Sequence, residues 1–206
     1  MCIRDRLDRE HVINSLEGFN FVIHFAGIAD IGESKEKPLE TIETNIIGTA
    51  NITKICSELN IKLIYISTCY VYPGKKGNYS ENSPIKPINN YAWSKLGGEC
   101  SVTLYKNSLI LRTSVTEKPF VHKSAFHDFK TNFIFHEELV PKIFNLLDQK
   151  GIINLGGKSQ SVYNFVKKWN GKDKNLVLIT HYSIIKAVTN AIPRAGEIVI
   201  ANKAKP

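Results

Sequence analysis

Apolar residues along this chain fall into short runs separated by polar stretches rich in Gly, Pro, Asn and Ser. FNFVIHFAG (19–27), IKLIYIS (61–67), LILRTS (109–114) and GIINLGG (151–157) are such runs. They are brief and rich in Ile, Leu, Val and aromatics, which predicts strands buried on both faces. Helical spacing fills the intervals. DREHVINSLEG (8–18) has the spacing of a short helix stopped at Gly18. PLETIETNIIGTANITKICSEL (38–59) is the clearest helix, with Pro38 in its first turn and Glu40 and Glu43 near its positive end. Further helices are expected over 89–106, 137–149 and 161–169. Strands alternating with helices predict an α/β fold with a parallel sheet flanked by helices.

In open α/β sheets ligands bind outside the carboxyl ends of the strands. IKLIYIS leads into TCYVYPG, so the second run should deliver Ser67, Thr68 and Cys69 to that edge. Tyr91 and Lys95 are four apart in NNYAWSK, and a helix puts both on one face. A hydroxyl, a phenol and an ammonium then share one crevice. A nearby ammonium favours phenolate and is expected to lower the Tyr91 pKa, and the Thr68 hydroxyl can hydrogen-bond a substrate oxygen. Ala26 and Gly27 make a small, open turn after the first run, where backbone can approach a ligand closely.

These segments occur in a set order: FVIHFAGIAD, TNIIGT, ISTCYVY, YAWSK, LILRTS, GIINLGG. Together they resemble the extended short-chain dehydrogenase/reductase family, and within it the dTDP-4-dehydrorhamnose reductase and sugar-nucleotide epimerase/dehydratase group. The resemblance spans residues 7 to about 170. It implies a Rossmann-like fold, NAD or NADP as cofactor and a nucleotide sugar as substrate. Tyr91 would exchange a proton with the substrate oxygen, Lys95 would hold the cofactor ribose, and Thr68 would orient the oxygen. Ala26, Gly27, Ile28, Ser67, Thr113 and Ser114, with Tyr91 and Lys95, would edge the cofactor. Asn45 has two readings, a support for the active-site strand or a helix-packing amide.

The resemblance also marks departures. Family dehydratases carry an acidic residue two places after the threonine, and the rhamnose-pathway reductases one place after it. Here those places hold Tyr70 and Cys69, so proton abstraction by a carboxylate there is not expected; Cys69 reads as a packed thiol. The family's Gly-x-x-Gly-x-x-Gly turn, which cradles the cofactor pyrophosphate on a helix N-terminus, has no counterpart in the sequence. The expectation is an N-terminally truncated domain over 1–172 with a small substrate lobe, its sheet left with an open edge. Residues 173–206 resemble the end of a histidine phosphatase domain, with His181 at a strand end, but no Arg-His-Gly nucleophile segment is present; a divergent terminal strand and helix of the reductase is the alternative.

The leading expectation is an NAD(P)-dependent reductase of a nucleotide-linked 4-keto sugar. A sugar-nucleotide epimerase and a catalytically inert, sugar-nucleotide-binding fragment are the alternatives. Composition adjusts this picture little. The chain has 206 residues, 43% of them apolar, and a net charge of +8. Its lysines are spread along the chain, so no nucleic-acid partner is expected. A basic crevice equally suits an anionic cofactor. No apolar stretch approaches the ~20 residues of a membrane span, and Cys2, Cys56, Cys69 and Cys100 form no C-x-x-C pair, which suits reduced thiols and a cytoplasmic setting. GIINLGGKS has one residue too many between glycines for a phosphate-binding P-loop. His24 reads as a core histidine. His122, His127, His136 and Glu137 lack metal-site spacing, and no metal is expected. A homodimer is left open.

Overall fold

The structure, a computed structural model, describes residues 7–75, 77–118, 130–170 and 199–201. Its centre is a sheet in which β1 (Phe21–His24), β2 (Lys62–Thr68), β3 (Ser108–Thr113) and β7 (Gly151–Leu155) run parallel, in the order β7-β3-β2-β1. The four apolar runs of the sequence are these four strands. Their side chains alternate between two cores because successive residues of a strand point to opposite faces. Val22, Leu63, Tyr65 and Ile110 pack on one side with Val12 and Leu16 of α1 (Arg9–Leu16) and Ile52 and Cys56 of α4 (Gly48–Glu58). Ile23, Ile64, Ile66, Leu109 and Leu111 pack on the other with Leu139 and Ile143 of α6 (His136–Asn145). Burial on both faces is why these strands read as continuous rather than alternating apolar runs.

The outer edge of β1 is paired. β9 (Val199–Ala201) lies antiparallel to it, with Phe21 opposite Ala201 and Ile23 opposite Val199. The expected open edge is therefore corrected: a strand from the end of the chain covers it. Residues 171–198, which include Thr180 and His181, lie outside the described residues, as do His122 and His127.

Local signals set the helix ends. The Asp8 carboxylate caps α1 by accepting from the His11 N–H, and Gly18 follows at φ +83°. The Asn89 side chain caps α5 (Asn90–Thr103) by accepting from the Ala92 N–H at 2.8 Å. The long helix expected over 38–59 is interrupted. After α2 (Ile31–Glu36) and α3 (Pro38–Thr41), residues Ile42–Ile47 form a π-helical turn before α4 continues. Its wider winding is marked by the Gly48 N–H donating to the Glu43 carbonyl, five residues back.

Beyond β3 the chain builds a small lobe from two ribbons. β4 (Val115–Thr116) pairs with β6 (Ile134–Phe135), and β5 (Lys130–Thr131) pairs with β8 (Gln160–Ser161). α7 (Val162–Asn170) is anchored there by Phe165, whose ring lies 4.8 Å from that of Phe135 and 5.6 Å from that of Phe133. The lobe stands over the carboxyl edge of the parallel strands and walls the crevice described next.

Candidate active site

A crevice of about 420 Å³ opens at the carboxyl ends of β1, β2 and β3. β2 ends on Ser67 and Thr68, and α5 presents Tyr91 and Lys95 from one face, one helical turn apart. All four line the crevice, together with Gly27 and Ile28 after β1 and Thr113 and Ser114 at the end of β3. The catalytic set expected from the sequence, Thr68, Tyr91 and Lys95, is thus brought together by two separate elements, β2 and α5. Ala26, expected to edge the cofactor, does not line the crevice. It is buried among Val22, Ile52 and Tyr65 in the core, because it lies on the opposite side of the strand end from Gly27.

Thr68 and Tyr91 meet through a side-chain hydrogen bond, which favours the phenolate. Burial outweighs it and pushes the Tyr91 phenol well above its ordinary value. The expectation that Lys95 lowers this pKa is therefore not met. The Lys95 ammonium is itself buried and lies 4.1 Å from the centre of the Tyr65 ring, beneath the crevice. Tyr70, on the short turn after β2, sets its ring edge-on to Tyr91, with centroids 6.4 Å apart.

Asn45 lies in the π-helical turn and joins the site's two halves. Its carboxamide oxygen accepts from the Ile28 N–H at 2.8 Å, and its NH₂ donates to the Ile28 carbonyl at 2.9 Å and to Ser94 Oγ at 2.8 Å. Ser94 in turn donates to the Tyr91 carbonyl. These contacts are those of the packing amide: Asn45 holds the turn after β1 against the first turn of α5. The same contact explains Gly27, where a β-carbon would stand 2.7 Å from the Asn45 oxygen. His24 is a core histidine, fully buried, with Nε2 3.0 Å from Thr49 Oγ1.

Other crevice residues gave little sequence signal. Asp30, Phe133 and His136 line it from the loop after β1 and from the lobe. Only the tertiary fold brings them to the crevice that Tyr91 lines. Cys69 donates to Ser114 Oγ at 3.3 Å, and burial raises its thiol pKa, so it is the packed thiol expected. Beneath Ser67 runs a buried polar network that the sequence did not announce. Ser67 donates to the Glu99 carboxylate, which receives Arg112 Nε at 3.0 Å and an Arg112 terminal nitrogen at 2.7 Å. The other terminal nitrogen of Arg112 donates to the Tyr72 hydroxyl, and Tyr72 donates to Asn154 on β7. Asn154 then holds the loop after the short turn, donating its backbone N–H to the Glu81 carboxylate and its amide to the Tyr79 carbonyl.

A parallel sheet with a hydroxyl, a phenol and an ammonium at its carboxyl edge defines a dinucleotide-type α/β domain. The chain belongs to the NAD dependent epimerase/dehydratase family, which residues 1–166 match. It is 38% identical over 96 residues to UDP-glucose 4-epimerase 2 of Arabidopsis thaliana, covering 46% of this chain and 27% of that protein. Against human dTDP-D-glucose 4,6-dehydratase it is 28% identical over 152 residues, covering 73% of this chain and 41% of that protein. The chain thus spans well under half the length of these curated relatives. Its fold superposes on a Bacillus anthracis dTDP-4-dehydrorhamnose reductase solved in complex with NADP, with a TM-score of 0.74 and 22% identity over 83% of this chain and 68% of that one. Among the described residues no helix is long and apolar enough to cross a membrane, and no group of three or more His, Cys, Asp or Glu side chains is placed to hold a metal ion.

Proposed function

We propose that this chain carries the catalytic half of an NAD(P)-dependent reductase acting on a nucleotide-linked keto sugar. The observation that carries the reading is the meeting of Thr68 and Tyr91 in a crevice that Lys95 also lines. The residues fit a dinucleotide's nicotinamide half. Gly27 lets the backbone after β1 come close, Thr113 and Ser114 offer hydroxyls, and Lys95 offers a cation for ribose hydroxyls. When bound, the nicotinamide supplies hydride. The protein supplies the proton: Tyr91 donates from its phenol oxygen to the carbonyl oxygen of the sugar while Thr68 holds that oxygen in place. Burial raises the Tyr91 pKa further above neutrality, so the phenol holds its proton, the state a reduction needs.

Dehydration is disfavoured because position 70, two places after Thr68, is Tyr and supplies no carboxylate to abstract a proton. Epimerisation uses the same three side chains and differs in the product released. A homodimer belongs to this proposal too: Leu39, Ile42, Ile47 and Trp93 are exposed on α3, the π-helical turn and α5, and these segments pack against one another. Sedimentation at micromolar concentration tests that part.

The deciding experiment is a titration with NADH and with NADPH, followed by energy transfer from tryptophan to the nicotinamide. Trp93 lies on α5 two residues from Tyr91. Saturable binding that weakens in Lys95→Met supports the reading. Oxidation of the reduced cofactor with a nucleotide-linked 4-keto sugar, lost in Tyr91→Phe, completes it. Interconversion of UDP-hexoses without net oxidation selects the epimerase. No binding at millimolar cofactor selects the inert, sugar-nucleotide-binding fragment.

A further inference from the structure

We propose that Tyr65 is a positioning residue for Lys95, its ring face serving as the seat of the lysine ammonium. Tyr65 is on β2 and fully buried, and it touches α5 at both ends of its side chain. The ring face lies under Lys95 Nζ, 4.1 Å from ammonium to centroid. The phenol hydroxyl donates to the Lys95 backbone carbonyl at 3.2 Å. One residue thus grips the lysine at its root and at its tip. A buried ammonium needs an electron-rich partner to offset lost hydration, and an aromatic face supplies one without a formal charge.

The surroundings fix the ring in this pose. His24, directly opposite Tyr65 in the β1–β2 register, packs against it with centroids 5.5 Å apart, and Thr49 holds the imidazole from α4. From the helix side, Gly98 leaves the hydroxyl its place, since a β-carbon there would collide with the Tyr65 oxygen. Strand, neighbouring strand and two helices therefore converge on the orientation of a single ring. The consequence is directional. Tyr91 and Lys95 leave α5 on one face, but only the seated lysine has its ammonium held at the crevice floor. That this ammonium then meets the cofactor ribose rests on the reading given above; the seat itself does not.

Two measurements separate the seat from its use. In protein labelled with ¹⁵N-lysine, the Lys95 ammonium signal, assigned by its loss in Lys95→Met, is expected upfield of the other lysines through the Tyr65 ring current. Tyr65→Phe, which keeps the face and loses the hydroxyl, should retain that displacement. Tyr65→Leu should abolish it, while Tyr91→Phe should leave it in place. A wild-type Lys95 signal at the position of exposed lysines overturns the proposal, whether or not Tyr65→Leu folds. So does a displacement that survives Tyr65→Leu. For the use of the seat, NADH affinity should fall roughly threefold to tenfold in Tyr65→Leu, the range of a partly desolvated cation–π contact, and recover in Tyr65→Phe. Equal weakening in both variants overturns positioning by the ring face. Absence of NADH binding in wild type overturns the cofactor reading, and the ammonium signal then decides the seat independently.

Discussion

Glu99 and Arg112 face each other as a two-pronged ion pair inside the protein, their side chains 3% and 1% exposed. The pair joins α5 to β3 beneath Ser67, and through Tyr72 it reaches β7. Its role is to hold the site's floor and the loop behind it in one arrangement.

Breaking this pair from one side leaves a charge buried without its partner. Arg112→Met is expected to cost about 3–5 kcal/mol, read as a lower urea midpoint with little change in slope. A double variant, Glu99→Leu with Arg112→Met, should recover part of that loss, because no buried charge remains.

Gly27 and Asn45 make a second coupled pair. Gly27→Ala places a methyl against the Asn45 oxygen and should destabilise by about 1–3 kcal/mol, the usual range for overpacking. Asn45→Ala removes the partners of the Ile28 N–H and carbonyl, at about 1–3 kcal/mol for each group left unsatisfied. The double variant should be less unstable than the sum, since the clash vanishes with the amide. A denaturation cycle over the four proteins measures the coupling.

Alkaline pH should weaken the fold through two acids, the buried Cys56 thiol and the half-buried Tyr91 phenol. Burial pushes the Cys56 thiol from 9.0 to about 12 and raises the Tyr91 phenol above its ordinary value. In both cases the folded state keeps a proton that the unfolded chain releases. Stability is then full below the unfolded pKa and falls as pH rises through the window, by about 1.4 kcal/mol per pH unit for each group. For Cys56 that window runs from 9.0 to about 12. Cys56→Ala should flatten the slope of stability against pH above 9.0, measured by urea unfolding at several pH values, while lowering stability at neutral pH.

Thr68→Val tests the proton donor. It removes the hydrogen bond that favours the Tyr91 phenolate, so the ultraviolet titration of Tyr91, identified by its absence in Tyr91→Phe, should move further alkaline. Turnover should fall by roughly 10²-fold or more, as for loss of a positioned acid–base partner. Unchanged turnover would remove Thr68 from the mechanism.

Much of this molecule could be read from its sequence. The four apolar runs became the four parallel strands, since burial on both faces leaves no polar alternation to blur them. The spacing of Tyr91 and Lys95 placed them on one helix face, and the end of β2 placed Thr68 at the ligand edge. Helices over 8–18 and 89–106 were legible in the spacing, and the structure caps them with Asp8 and Asn89.

Tertiary structure decided what local spacing does not encode. The π-helical turn exists where Asn45 turns to the backbone of Ile28, a contact 17 residues away in sequence. The pairing of β9 with β1, and of Glu99 with Arg112, depends on chain crossings that no local pattern records. Ala26 and Gly27 are neighbours in the same small turn, yet one enters the core and the other the crevice, because adjacent side chains leave a strand end in opposite directions. The Tyr91 pKa is of the same kind. Sequence supplied the lysine four residues on, but the fold half-buried the phenol and turned the ammonium onto Tyr65, and desolvation set the sign.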